Sequence, residues 1–396
     1  MPRSPQGLID TPAALVEVCH HLGAAKVFAF DTECDPRPSY RPRLCLVQVA
    51  TDERAELIDP MALDDLGPFW DLLADPAVEK ICHAGSQDLA VAWRLGRKRP
   101  QHVFDCQIGA GLVGIGYQES YARLVEIVTG VELAKKETRS AWDRRPLSRP
   151  QLTYAVEDVQ YLLEIHRFLR ERMDSLERMA WMREACHEVC VKAATDVDPT
   201  MIFRDIEGAS KLQPRQQSVL RELTMLRDQL ACERREPVRW LLEDKALLAL
   251  AVRGPETEAG LSAMSSVPRK AVVSYGDQIL GAIKRGKALP PDQWPHLSPP
   301  MADSPQTKRL AEIMYASSLV ICLGQLVSPG VVANRKEIEE LARLVSQGED
   351  LSEHALMSGW MRECLGAPLV EFVRGQTDVT LCVAPERMYA KFEPRG

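Results

Sequence analysis

An α/β domain with a mixed sheet flanked by helices, followed by all-helical modules, is the fold that this sequence predicts. Three observations carry the prediction. Short apolar runs with tight polar turns crowd the start of the chain. Helical periodicity dominates everything after them. Proline-rich breaks punctuate the helical half. At 396 residues the chain is too long for one ordinary core and suits two or three domains.

The elements follow in order. KVFAFDTE at 26–33 reads as a buried strand ending in acidic residues. RLCLVQVA at 43–50 and AELID at 55–59 read as two more strands, joined by a polar turn at 51–54. Such short connections start an antiparallel or mixed sheet. A helix over Leu63–Leu73 and a strand at 79–84 come next, then a helix over Gln87–Leu95 with Ser86 as its expected N-cap. A brief HVFD strand precedes mostly helical sequence to residue 130. The polar stretch 133–149 reads as a loop, and Pro150 opens a long helix over Gln151–Arg172. Further helices fill 175–193, and DVDPT at 196–200 reads as a linker. Residues 214–290 form one helical module, and LPPDQWPHLSPPMADSP at 289–305 is the clearest linker. A last helical module is expected at about 307–390.

Composition narrows the function classes. Apolar residues make up 45% and charged residues 27%, the balance of an ordinary globular protein. No signal peptide is visible, and no apolar run approaches the ~20 residues that span a bilayer, so a cytoplasmic location without membrane attachment is expected. The eleven cysteines show no CxxC pair and no zinc spacing, which fits a reducing compartment. The net charge of −7 argues against a simple electrostatic nucleic-acid binder. Basic residues nevertheless cluster locally, at Arg37, Arg41 and Arg43, at Arg94, Arg97, Lys98 and Arg99, and at Lys135, Lys136, Arg139, Arg144 and Arg145. Local patches, not total charge, set phosphate contacts.

The chemistry-bearing residues are acids. Asp31 and Glu33, two apart on a strand, project to the same side. Two adjacent carboxylates raise each other's pKa unless a cation lies between them, and oxygen-only ligands favour Mg²⁺ or Mn²⁺. On the helix 151–172, Leu152, Ala155, Val156, Val159, Leu162 and Leu163 mark the apolar face. At about 100° per residue, Tyr154 and Asp158 lie together away from its centre. Asp88 stands in a first helical turn, where the helix dipole favours an acid.

Taken jointly, FDTE at 30–33, HAGSQD at 83–88 and YAVEDVQYL at 154–162 resemble the three motifs of the DEDD exonucleases. The tyrosine four residues before the last aspartate marks the DEDDy branch. RPRLCLVQVA, AELIDP, ICHAGSQDL and LAKKETRSAWDRRPLSRPQLTYAVEDVQYLLEIH are similar in sequence and order to the ribonuclease D family, over about residues 25–195.

The resemblance implies a ribonuclease H-like exonuclease domain at 1–195 and hydrolysis of RNA from the 3′ end to nucleoside 5′-monophosphates with two divalent ions, Mg²⁺ or Mn²⁺. Asp31, Glu33, Asp88 and Asp158 are then the metal ligands, with Tyr154 orienting the attacking water. Thr32 and His83 are placed to touch the terminal nucleotide, and Lys135, Arg139, Trp142 and Arg145 form a basic loop that holds phosphates or stacks a base. Cys34 departs from the family pattern, which commonly has an aromatic or larger apolar residue there.

Residues 215–290 resemble an HRDC domain, assigned to 210–290, and 305–390 resemble a second, divergent HRDC-like module. Arg227, Arg234, Arg235 and Arg239 extend the expected RNA path. Transfer-RNA precursors with 3′ extensions are the expected partner, and no obligate protein partner is indicated. Two alternatives stay open on sequence: the same fold acting on DNA, and a non-catalytic RNA-binding protein.

Overall fold

The computed structural model describes residues 8–35, 37, 40–133, 140–297, 303–384 and 387–394. From residue 26 the first half follows the expected order, preceded by a short strand and a helix that the sequence did not lead us to expect. Leu8–Ile9 (β1) leads to Pro12–Ala25 (α1), then to Val27–Cys34 (β2), Leu44–Ala50 (β3) and Ala55–Ile58 (β4). Gly67–Ala74 (α2), Glu79–Cys82 (β5), Ser86–Gly96 (α3) and Val103–Asp105 (β6) complete the sheet region. Five helices follow: Cys106–Leu112 (α4), Tyr121–Thr129 (α5), Arg149–Gln160 (α6), Leu162–Ser175 (α7) and Met179–Ala193 (α8).

The six strands form one mixed sheet in the order β1-β4-β3-β2-β5-β6. β2 runs antiparallel to β3 and parallel to β5, so the strand carrying Asp31 and Glu33 is central. Side-chain alternation divides the sheet into two faces. Phe28, Phe30, Val47, Val49 and Ile58 pack with Leu15, Val18 and Leu22 of α1, Phe69 of α2 and Leu89 of α3. Ala29, Leu46, Ala50, Leu57 and Ile81 pack on the other side with Ala155, Val156 and Val159 of α6 and Ile165 and Leu169 of α7.

Two local expectations change. The cap of α3 is Gly85, not Ser86, which is the first helical residue and makes no capping hydrogen bond. The helix expected over 151–172 is two helices, broken at Tyr161. Pro150 stands in the first turn as expected, but the helix starts at Arg149, behind a capping box of Ser148 and Gln151.

The chain folds as two compact units. One contains residues 196–302 together with residues 36–43 of the β2–β3 connection. Pro214–Arg234 (α9), Val238–Leu241 (α10), Asp244–Arg253 (α11), Glu258–Ser262 (α12) and Arg269–Ala288 (α13) enclose its core around Leu220, Leu223, Leu247, Leu250 and Ile279. Tyr40 donates a hydrogen bond to Asp228 at 2.5 Å within this unit. Arg227, expected on an RNA path, is instead buried. It donates to the Leu242 carbonyl at 3.0 Å and to Asp244 at 2.7 Å.

The other unit joins the sheet domain to residues 303–396. Pro305–Gly324 (α14), Pro329–Val332 (α15), Arg335–Gln347 (α16), Gly359–Met361 (α17) and Ala367–Val373 (α18) precede a hairpin of Thr377–Ala384 (β7) and Arg387–Pro394 (β8). The module expected to be helical to about 390 therefore ends in strands. Thr377, Val379 and Thr380 supply β-branched side chains that favour them. Nor does the module have a separate core: Met314, Ile321, Ile338, Leu341, Trp360 and Leu369 belong to the same apolar cluster as α6 and α7. Among the described residues no helix is long and apolar enough to cross a membrane.

Candidate active site and metal centre

Asp31 and Glu33 lie on the sheet face covered by α6, because they continue the Ala29 side of β2. The strand is disrupted by a register shift between Glu33 and Cys34. α6 lays its Ala155–Val156–Val159 side on that face, which carries Asp158 to the strand end. One carboxylate oxygen from each of Asp31, Glu33 and Asp158 lies within 4.8 Å of the others. Two acids of one strand and a third from a helix distant in sequence thus share one small volume.

Asp88 approaches from α3, on the opposite side of β2. The hydroxyl of Thr32, which alternates away from Asp31 and Glu33, donates to its carboxylate. Asp88 is therefore outside the three-oxygen cluster, yet its charge still raises the pKa of both Asp31 and Glu33.

Burial is the largest influence on each acid. It pushes Glu33 up to about 8, with Asp158 and Asp88 adding repulsion. Asp158 rises to about 7, although a hydrogen bond from Tyr154 acts the other way. Asp88 rises to about 6, moderated by Thr32. Burial together with Asp88, Asp158 and Glu33 drives Asp31 well above the usual carboxylate range. A site that disfavours its own ionisation is one that a divalent cation relieves, and an all-oxygen donor set suits Mg²⁺ or Mn²⁺. The residues present fit such an ion.

Tyr154 sits one helical turn before Asp158. Burial and then the neighbouring carboxylates raise its hydroxyl pKa, so it remains protonated and acts as a donor. Burial lowers the pKa of His83, leaving a neutral imidazole, and its ring stands 5.9 Å from that of Tyr121.

The expected basic loop divides. Lys135 and Arg139 lie outside the described residues. Trp142 does not offer a stacking surface: it is 1% exposed, its indole part of the core 6.1 Å from the Tyr154 ring. Arg145 is not a free phosphate ligand either. Its guanidinium donates twice to Asp59, at 2.6 Å each, and once to the Cys45 carbonyl at 2.7 Å. Both residues brace the segment that leads into α6.

Sequence reasoning passed over Asp105. This buried carboxylate accepts from the amides of Ala84, Gly85 and Gln107, each at 2.9 Å. It thereby caps α4 and holds the turn between His83 and Asp88. Ala84 adopts φ 55°, and a Cβ at Gly85 would lie 2.4 Å from the Cys82 sulfur, so that turn requires glycine. An acid between a strand and a helix was the available signal. Gln48 is paired in register with Asp31, and its buried amide has no hydrogen-bond partner among the described residues. Cys186 and Cys190 are buried free thiols, and Cys186 accepts the Asp105 amide at 3.4 Å.

Comparison with known proteins agrees with this geometry. Residues 7–174 match the family model of the 3′-5′ exonuclease, and residues 216–283 match the HRDC domain. The chain is 32% identical to ribonuclease D of Pseudomonas paraeruginosa over 365 residues, covering 91% of this chain and 96% of that one. It is 30% identical to ribonuclease D of Serratia proteamaculans, covering 93% and 99%. The crystal structure of Escherichia coli RNase D superposes with a TM-score of 0.84 at 28% identity, covering 93% of this chain and 98% of that one. With Asp31, Glu33 and Asp158 gathered on one sheet face and likeness extending over nearly the whole chain, this protein belongs to the ribonuclease D family of 3′→5′ exoribonucleases.

Proposed function

We propose that the chain removes nucleotides from RNA 3′ ends with two divalent ions, releasing nucleoside 5′-monophosphates, and that its substrates are tRNA precursors carrying 3′ extensions. The observation that carries the reading is the convergence of Asp31, Glu33 and Asp158 oxygens within 4.8 Å. Asp31, Glu33 and Asp158 would hold one ion. Asp31 would share the second, with Asp88 supporting it. When bound, the ions lower the pKa of water and offset charge on the phosphoryl group and leaving oxygen.

The protein's own groups orient and hold. Tyr154, a protonated donor, positions the attacking water and does not remove its proton. Thr32 fixes the rotamer of Asp88. Neutral His83 is available to the terminal nucleotide. The substrate class draws support from E. coli RNase D, described as an exoribonuclease involved in structured RNA processing.

The test is a 5′-labelled tRNA precursor and a 5′-labelled unstructured RNA of equal length, each with Mg²⁺ or Mn²⁺. Stepwise shortening that pauses at the mature tRNA end is expected. Asp31→Ala and Asp158→Asn should lower the rate by at least about 10³-fold while remaining folded. Wild-type rates in these variants would overturn the site, and indifference between the two RNAs would overturn the tRNA assignment.

A further inference from the structure

The break between α6 and α7 has a specific cause. In an unbroken helix the Tyr161 amide would bond to the Glu157 carbonyl, four residues back. Here the hydroxyl of Tyr121 stands between them. It accepts from the Tyr161 amide at 3.3 Å and donates to the Glu157 carbonyl at 2.8 Å. A side chain inserted into the hydrogen-bond ladder is a recognised origin of a helix break. Glu157 immediately precedes Asp158, so the interrupted turn is the one that carries the acid.

The same residue reaches the second motif. Tyr121 opens α5, held there by Ser120 as N-cap, and its ring stands 5.9 Å from that of His83, tilted by 55°. Burial keeps the phenol protonated, which donation to Glu157 requires. One side chain therefore touches the backbone beside Asp158 and the ring that precedes the Asp88 turn.

We propose that Tyr121 is a positioning residue for the metal centre: its hydroxyl sets the direction of the helical turn bearing Asp158, and its ring seats His83. The inference rests on the reading of Asp158 as a metal ligand. Without the hydroxyl, the Tyr161 amide and Glu157 carbonyl pair directly, the helix runs on, and Asp158 leaves its place beside Asp31 and Glu33. The phenyl ring alone fills the same space, so Tyr121→Phe isolates the hydroxyl.

The experiment compares Tyr121→Phe and Asp158→Asn with the wild-type full chain. It measures kcat and KM on a short RNA, the Mn²⁺ concentration for half-maximal activity, and calorimetric Mn²⁺ binding. For Tyr121→Phe, kcat should fall and the Mn²⁺ requirement rise, each on the order of 10–100-fold, with KM and melting temperature little changed. Should the variant fold poorly, Mn²⁺ titration of the folded fraction from gel filtration reads the site directly, and weakened binding is again expected. Wild-type Mn²⁺ affinity and kcat in Tyr121→Phe would overturn the proposal. An inactive Asp158→Asn beside a normal Tyr121→Phe sinks this inference alone. An active Asp158→Asn sinks the underlying site.

Discussion

Residues 196–302 and 303–396 look alike in sequence, since both are predominantly helical and of similar length. Their structures differ in where the apolar surface goes. The first encloses its own core, centred on Leu220, Leu223, Leu247 and Ile279. The second gives its apolar side chains to the cluster that already holds α6 and α7. Polar contacts follow the same division. Arg178, 6% exposed, donates to the Leu112 carbonyl at 2.6 Å, to the Leu326 carbonyl at 3.0 Å and to the Gln325 carbonyl. Ser328 donates to the Gly111 carbonyl at 2.8 Å, and Glu184 accepts the Trp360 amide at 3.1 Å. Arg227 plays the corresponding part inside the first module, bonding to Leu242 and Asp244 of that module. A domain is thus defined by the closure of its core, and helical content alone does not reveal it.

Truncation should have the largest effect. A chain ending at residue 302 should lose the cooperative melting of the nuclease unit and its activity, whereas residues 196–302 alone should still melt cooperatively. Scanning calorimetry distinguishes the two, and an active, normally melting truncation would refute the shared core.

A smaller effect is expected from Arg178→Met. It leaves three carbonyls without their donor and should cost about 3 kcal/mol, confined to the nuclease transition in urea. Arg227→Met should lower only the other transition, by about 2 kcal/mol. Equal effects on both transitions would show that the units do not unfold separately.

The gentlest test uses pH. Asp158 and Glu33 have folded pKa values raised to about 7 and about 8, above those of an unfolded chain. Without metal the folded state binds more protons, so stability is fully present below about pH 4 and falls as pH rises through 7 to 8. A divalent ion should flatten this slope and release protons on binding. Melting of the metal-free and Mn²⁺-loaded protein between pH 5 and 8 reads it, and only the nuclease transition should respond. A metal-free transition that strengthens with pH would contradict the raised carboxylates.

Much of the catalytic domain was legible because local rules and tertiary context agree there. The apolar run before Asp31 could only be a buried strand, and period-two alternation put Asp31 and Glu33 together. Pro150 announced the start of α6. Other features were invisible for definite reasons. Trp142 and Arg145 sit in a polar stretch that reads as a surface loop, and nothing local reveals that a core cavity accepts the indole or that Asp59 accepts the guanidinium. The break at Tyr161 depends on a hydroxyl forty residues away. The terminal hairpin was hidden by the helical periodicity preceding it.

By itself, the sequence determined the strand-then-helix order, the identity of the acids and their spacing, because side-chain direction within one element depends only on that element's geometry. Only the tertiary structure decided which acids share a volume, which arginines are free, and which module closes its own core. Those outcomes depend on contacts between distant segments, and no local period encodes them.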